Sequence, residues 1–154
     1  MTPSEYQNPI LCADYSDPDI VRVRDDFFMV SSSFNHVPAL PILHSTDLVN
    51  WTIINHVLDE LPLPGYDRYQ PGKGVWAPSI RWHDGKLWVC FSTPDEGIFI
   101  CHTEDPWGKW SAPHCLRQAR GWIDPCPFWD DNGQAWLVHA FAHSRSGIKH
   151  KLQL

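Results

Sequence analysis

A short phrase occurs three times in this chain, and it constrains the fold more than any other feature. Its copies begin at Asp17-Pro18, Ala77-Pro78 and Asp124-Pro125. Each copy continues as an alternating or apolar run, a turn rich in Asp, Asn or Gly, which is Asp25-Asp26 in the first copy, and a second, more apolar run. Such runs predict strands, and such turns predict hairpins between them. Because a repeat of long period reflects stacked units, the chain is predicted to be built from similar β modules.

A second phrase follows the hairpin in the first two units. It consists of a strand, a polar turn and a tryptophan, and it occurs at Ile42–Trp51 and again at Ile98–Trp110. The two phrases together make about four strands in roughly 50 to 60 residues, which is the size of one β-propeller blade. The third unit is expected to begin its third strand at Gly147 and to go no further. We therefore predict an all-β fold, a β-propeller truncated to about two and a half blades.

The whole chain, residues 1–154, is predicted to be the N-terminal portion of one propeller domain. Its blades are expected at about 14–58, 75–118 and 122–154, the last one incomplete. The stretch 59–74, rich in Pro, Gly and Tyr, is expected to be a long loop between the first two blades. Loops at such positions often carry binding residues.

Composition and charge argue against several classes of function. The net charge is −6 and basic residues do not cluster, so a nucleic-acid partner is not expected. The five cysteines are odd in number and none is spaced as C-x-x-C, which predicts free thiols instead of disulfides or a zinc site. No apolar run approaches the roughly 20 residues of a membrane helix, and no secretory signal is visible. A soluble cytoplasmic protein with no membrane partner is expected.

The candidates for chemistry are two aspartates at the same position of their repeats. Asp17 and Asp124 are 107 residues apart, and stacking of the units around an axis would bring them to one shared pocket. Two acids in one pocket have their pKa values pushed apart, as acid–base work requires. The alternative is that Asp-Pro simply starts a strand after a turn, because Asp caps turns and Pro restricts φ.

Several neighbours of these aspartates are secondary candidates. An aromatic ring beside a carboxylate suits a sugar, whose C–H face stacks and whose hydroxyls form hydrogen bonds, and Phe34 and Trp76 would supply such rings. Core packing is the alternative interpretation for both rings. Asp19 would point the same way as Asp17 along an extended backbone, or it is a solvated strand residue. His36 is interpreted as a histidine of a surface loop.

The chain resembles glycoside hydrolase family 43 in four motifs that occur in the same order. The resemblance covers essentially the whole chain, and the motifs are Asn8–Ile20, Ile42–Trp51, Gly74–Pro78 and Trp122–Pro125. It implies a five-bladed β-propeller that hydrolyses with inversion, as a β-xylosidase or an α-L-arabinofuranosidase. The resemblance makes Asp17 the general base and Asp124 the acid that orients the general acid and raises its pKa. It places Phe34 and Trp76 in the pocket of the −1 sugar.

The sequence departs from the family at the general acid, which the family takes from a glutamate in a later blade. No glutamate occurs after Glu104, and the only acidic residues after Asp124 are Asp130 and Asp131, in a predicted hairpin turn. The predicted function is therefore the N-terminal part of an inverting glycoside hydrolase on xylose- or arabinose-containing oligosaccharides, with the general acid missing from this chain. No cofactor is required, no metal site is predicted, and a structural calcium ion is left open.

Two alternatives belong to other classes of function. A non-catalytic carbohydrate-binding or inactive fragment of such an enzyme would agree with the missing glutamate. A propeller that serves only as a platform for other proteins would have no need of carboxylates at the starts of its strands.

Overall fold

The computed structural model describes residues 5–154, so the first four residues of the predicted domain lie outside the described residues. The described chain folds into three antiparallel sheets, which confirms the all-β prediction. The first sheet has the order β1-β2-β3-β4. Its strands are Asp19–Val23 (β1), Asp26–Val30 (β2), Ala39–Ser45 (β3) and Thr52–Leu58 (β4).

The second and third sheets repeat this meander. The second has the order β5-β6-β7-β8, and the third has β9, β10 and β11 with β10 in the middle. Their strands are Trp76–His83 (β5), Lys86–Thr93 (β6), Gly97–Thr103 (β7), His114–Gln118 (β8), Trp122–Trp129 (β9), Ala135–Phe141 (β10) and Leu152–Gln153 (β11). A single helical turn, His143–Ser146 (α1), precedes β11. The third strand of the third unit is therefore shorter than predicted and begins at Leu152, because Gly147 takes a left-handed φ of 72° and ends α1.

The hairpins follow from local turn chemistry. In the second sheet His83 pairs with Lys86, and Asp84 and Gly85 between them both have positive φ, as a two-residue type I′ turn requires. In the first sheet Val23 pairs with Asp26, so the turn is made by the residues at 24 and 25. The turn in the first sheet thus lies one residue earlier than the sequence predicted.

The three sheets meet through their first strands. β1 contacts β5, and β5 contacts β9, so that the first strand of each sheet lies innermost, as in propeller blades. Polar contacts join these strands as well: the Ser79 hydroxyl donates to the Pro125 carbonyl oxygen at 2.6 Å. The fold is therefore of the β-propeller type, as predicted.

Asp19 has a different role from either of its two sequence-based interpretations. Its carboxylate accepts hydrogen bonds from the Ile80 amide at 2.9 Å and from the Arg81 guanidinium at 2.6 Å. Arg81 in turn reaches the Cys126 sulfur at 2.8 Å. Asp19 is thus partly exposed, and its carboxylate belongs to an ion pair that links β1 to β5 and, through Arg81, to β9.

Most of the apolar core lies between the first two sheets. The largest fully buried side chains there include Leu40, Ile42, Ile80, Leu87 and Phe91, and each such burial contributes roughly 1.5–3 kcal/mol. All five cysteines are free, which confirms the prediction of free thiols. Within residues 5–154, no helix has the length and apolar character that crossing a membrane would demand.

Candidate active site

Asp17 lies just before β1 in an uncommon backbone conformation. Its φ is 50°, in the left-handed region. The Ser32 hydroxyl donates to one carboxylate oxygen of Asp17 at 2.7 Å, and the Ser32 amide donates to the Ser16 carbonyl oxygen at 3.0 Å. Ser32 is itself buried directly after β2. The structure thus holds one oxygen of the Asp17 carboxylate through a buried hydroxyl, and the Asp17 side chain remains accessible.

Asp124 adopts nearly the same conformation in the third sheet. Its φ is 53°, and it lies inside β9, two residues after the strand begins. A non-glycine residue with positive φ is uncommon and costs on the order of 1–3 kcal/mol, and such positions cluster at functional sites. Ala77, at the same place in the second repeat, is not among the residues with positive φ. The two aspartates therefore share a backbone feature that the middle copy lacks.

The two carboxylates influence each other across the 107 residues between them. Desolvation by the surrounding protein raises the pKa of Asp124, although its side chain stays exposed to solvent; the negative charge of Asp17 raises this pKa further, while the positive charge of His150 lowers it. Asp124 receives no hydrogen bond from the described part of the chain that would stabilise its ionised form. Asp124 therefore has the raised pKa that is expected when two neighbouring acids take different roles in acid–base chemistry.

Phe34 and Trp76 form an aromatic corner near these acids. Their ring centroids lie 6.3 Å apart, and the planes are inclined by 76°. Trp76 packs against the small cluster of Ile123, Ala140 and Ala142, which includes the neighbour of Asp124, and Phe34 lies two residues beyond the serine that binds Asp17. Both rings are half-buried, so each combines packing with an accessible face.

A close backbone approach holds this corner together. The amide and carbonyl groups of Ser33 and Val75 exchange two hydrogen bonds of 2.9 Å, and the Gly74 amide donates to the Phe34 carbonyl oxygen at 2.8 Å. A Cβ atom on Gly74 would lie 2.2 Å from the Ser33 carbonyl oxygen. Only glycine therefore lets the long loop end close enough to bring Trp76 beside Phe34.

A cleft of about 390 Å³ opens beside Phe34, between the end of the first hairpin and the long loop. Besides Phe34, its walls carry the polar, charged or aromatic side chains Asn35, His36, Tyr66, Asp67, Arg68, Tyr69 and Gln70. The Asn35 side-chain oxygen accepts a hydrogen bond from the Gly72 amide at 2.7 Å, which ties the two walls together. Neither Asp17 nor Asp124 lines this cleft, so the cleft is separate from the acid pair. Phe34 belongs both to the cleft and to the aromatic corner.

The comparison with known protein families decides the identity of this arrangement. The sequence profile described as "Glycosyl hydrolases family 43" matches residues 6–153. The chain belongs to glycosyl hydrolase family 43. The resemblance of the four sequence motifs to this family is thereby confirmed.

Relatives within the family share a large part of this chain. A protein of Xylanibacter ruminicola named "Putative beta-xylosidase" is 41% identical over 86% of this chain and 24% of its own length. The Bacteroides ovatus protein named "Non-reducing end alpha-L-arabinofuranosidase BoGH43B" is 38% identical over 78% of this chain and 23% of its own length. The chain thus spans about a quarter of the length of these curated relatives.

Solved structures of the family have the same fold. A family 43 protein of the subgroup "GH43_12" retrieved from capybara gut metagenome superposes with a TM-score of 0.76, at 40% identity, and this chain covers 26% of it. A xylan β-1,4-xylosidase from Bacillus halodurans C-125 gives a TM-score of 0.76 at 32% identity, with 89% of this chain and 27% of that chain covered.

Two residues of this candidate site were not predicted from the sequence. Ser32, which binds Asp17, belongs to a run of three serines directly after an apolar strand, and that run was an available signal. His150, which acts on Asp124, lies 26 residues further along the chain and had no local signal. Its Nδ1 lies 3.0 Å from the Phe141 carbonyl oxygen, so its position depends on the folding of the third sheet.

Of the two acids after Asp124, Asp130 has a structural role. Asp130 accepts hydrogen bonds from the Asn132 and Gln134 amides and from the Trp136 indole at 2.9–3.0 Å, so it organises the turn between β9 and β10. Within residues 5–154, no group of three or more His, Cys, Asp or Glu side chains could hold a metal ion. The structural calcium ion therefore stays a prediction.

Proposed function

We propose that this chain supplies the general base and the second carboxylate of an inverting glycoside hydrolase that acts on xylose- or arabinose-containing oligosaccharides. The observation that carries the proposal is the pair of aspartates at equivalent repeat positions. Both have positive φ, and the charge of Asp17 raises the pKa of Asp124. The relatives named as a β-xylosidase and an arabinofuranosidase support the choice of substrate class.

Asp17 would be the general base. The Ser32 hydroxyl occupies one of its carboxylate oxygens at 2.7 Å, and the other oxygen is free to take a proton from water. The water would attack the anomeric carbon from the face opposite to the leaving group, which inverts the configuration. A base that is held in one orientation does not have to be ordered during the reaction, and this lowers the barrier.

Asp124 would act on the proton donor. A carboxyl group with a raised pKa beside another carboxylate can share a proton or hydrogen-bond with a neighbouring acid, and its charge keeps that acid protonated. The family resemblance assigns the proton donor to a glutamate, and no glutamate follows Glu104 in this sequence. We therefore assign the donor to a residue outside these 154 residues, in agreement with the quarter of its relatives that the chain spans.

The aromatic corner would bind the sugar whose bond is cleaved. An inclined pair of rings offers one face for stacking against the C–H groups of a pentose and one edge that limits its size. The neighbouring cleft, with its Asn, Gln and Tyr side chains, would provide hydrogen bonds to sugar hydroxyls.

The test is the Asp17→Asn substitution in the intact protein, with aryl xyloside and aryl arabinofuranoside as substrates. Loss of the base is expected to lower kcat by roughly 10²- to 10⁴-fold. The matched control is Asp25→Asn, which removes the same charge from the fully exposed turn between β1 and β2. Turnover by the Asp17→Asn variant at the rate of the control would contradict the assignment of the base.

A second candidate function is carbohydrate binding without hydrolysis. It is favoured by the cleft beside Phe34, whose walls include neither carboxylate. Titration calorimetry with xylobiose distinguishes the two functions. Binding heat without turnover of either aryl glycoside in the intact protein would favour this candidate, and turnover would exclude it.

A further inference from the structure

A cluster of charged residues outside the acid pair surrounds a second open cavity. Three cations, Lys73, Arg120 and Arg145, line it together with one carboxylate, Asp95. The cavity has a volume of about 490 Å³. Its four residues come from four parts of the chain: the end of the long loop, the turn between β6 and β7, the link between β8 and β9, and α1.

The three cations share one carboxylate, Asp95, and only one of them forms a hydrogen bond with it. The Arg120 Nε donates to Asp95 Oδ1 at 3.2 Å. The Arg145 Nε lies 3.4 Å from the same oxygen, and the Lys73 Nζ lies 3.7 Å from Oδ2, so both are ion-paired at longer range. The Arg145 Nε is buried and has no hydrogen-bond partner among residues 5–154.

The charge balance of the cluster is opposite to that of the whole chain. Three positive side chains face one negative one, which leaves an excess of two positive charges in a chain whose net charge is −6. The next acid along, Glu96, accepts a hydrogen bond from the Tyr66 hydroxyl at 2.9 Å and does not line the cavity. Two arginines and a lysine carry many more donors than one carboxylate can accept, so the cluster has capacity for a further anion.

The location relates the cluster to the sugar site. The Arg145 guanidinium lies 5.9 Å from the centre of the Trp76 ring, so the cavity adjoins the aromatic corner. An anionic group bound there and a sugar stacked on Trp76 would therefore belong to the same oligosaccharide. Arginine matches planar carboxylates with paired N–H donors, whereas lysine acts as a point charge.

We propose that Lys73, Arg120 and Arg145, held around Asp95, form a subsite for a carboxylate-bearing sugar, that is, a uronosyl residue of the oligosaccharide. The inference rests on the proposed function for the identity of the neighbouring sugar. Its own observation is three cations around one carboxylate, with the buried Arg145 Nε without a hydrogen-bond partner among residues 5–154 and its guanidinium beside Trp76.

The experiment compares two oligosaccharides of equal length by calorimetry on the intact protein, a neutral xylo-oligosaccharide and one that bears a glucuronosyl residue. The acidic one is expected to bind roughly 10-fold more tightly, because a charge-assisted pair contributes about that factor. Arg120→Gln should abolish the preference and leave the neutral affinity unchanged. Lys73→Gln, whose lysine is partly exposed at 3.7 Å from Asp95, repeats the test with little risk to folding.

The matched control is Arg22→Gln, which removes a positive charge from an exposed arginine of β1 and should keep the preference. Equal affinity of the wild type for both oligosaccharides would overturn the inference, as would an equal loss in the Arg22→Gln control. Inorganic phosphate that competes as well as free glucuronate would overturn the assignment to a carboxylate.

Turnover of the neutral aryl xyloside, measured on the same samples, tests the proposed function separately. An acidic preference without turnover would contradict only the hydrolase. Turnover without the preference would contradict only the subsite.

Discussion

Asp17 in the first sheet and Asp124 in the third occupy the same place in their repeats, yet their surroundings differ across the hairpin. The Ser32 amide donates to the Ser16 carbonyl oxygen, and Ala140 pairs with Ile123, so Ser32 and Ala140 each stand opposite the residue that precedes the acid. At this position the first copy therefore has a hydroxyl group, and the third has a methyl group. The Ser32 hydroxyl binds Asp17, whereas Asp124 has a raised pKa through desolvation and the charge of Asp17.

The second copy has the hydroxyl group but not the acid. Trp76 pairs with Ser92, which places Ser92 at the position that corresponds to Ser32, but the acid position is Ala77. The Ser92 hydroxyl is buried and has no hydrogen-bond partner in the described residues. One copy thus has acid and hydroxyl, one has only the hydroxyl, and one has only the acid. The comparison shows that two of the three copies carry the hydroxyl and that only the first copy uses it on a carboxylate.

After Asp17→Asn, the largest effect is expected from Asp124→Asn on hydrolysis. If the two acids have separate roles, loss of the second charge should lower kcat by roughly 10²-fold or more. KM for the aryl xyloside should change little, since the aromatic corner remains. Steady-state kinetics measures both values. A kcat within a factor of two of the wild type would leave Asp17 as the only functional member of the pair.

Ser32→Ala should have the next largest effect. It removes the donor that orients Asp17 and is expected to lower kcat by roughly 10-fold, the typical value of one hydrogen bond to a charged group. Ser32→Thr, which keeps the hydroxyl, should recover part of the rate. Equal kinetics in the alanine variant and the wild type would show that the 2.7 Å contact has no role in turnover.

The pH dependence of stability distinguishes the two acids without any substrate. The pKa of Asp124 is raised above its ordinary value of 3.8, so the folded state binds a proton more readily than the unfolded state. Well below pH 3.8 both states are protonated and there is no penalty; stability falls as pH rises from 3.8 through the raised pKa, and it remains lost above it. Asp124→Asn should therefore raise Tm at pH 7, and this gain should vanish towards pH 3. A gain that is constant with pH would show that its cause is not ionisation.

Ser92→Ala should have the smallest effect and serves as the control for Ser32→Ala. Removal of a buried hydroxyl that has no partner in the described residues is expected to change the free energy of unfolding by less than about 1 kcal/mol, and in the stabilising direction. Chemical denaturation measures this change. A large destabilisation would show that the Ser92 hydroxyl has a partner after all, and the comparison of the three copies would fail.

Much of the fold was predictable because its causes are local. The Asp-Gly turn before Lys86 has the positive φ values that these residues favour, and the buried runs of β2 and β6 follow directly from their apolar residues. The errors also have local causes. Arg24 adopts a φ of 59° and moves the first turn by one residue, and α1 is too short for helical periodicity to be visible.

The sequence by itself determined the repeat, its β character and the equivalent positions of Asp17 and Asp124, because each depends on residues that are close together along the chain. Only the tertiary structure decided which partners these positions have. The Asp19–Arg81 ion pair and the cationic cluster around Asp95 join segments from different sheets or distant loops. Charge interactions and hydrogen bonds depend on distances in space, and those distances exist only after the sheets have packed against one another.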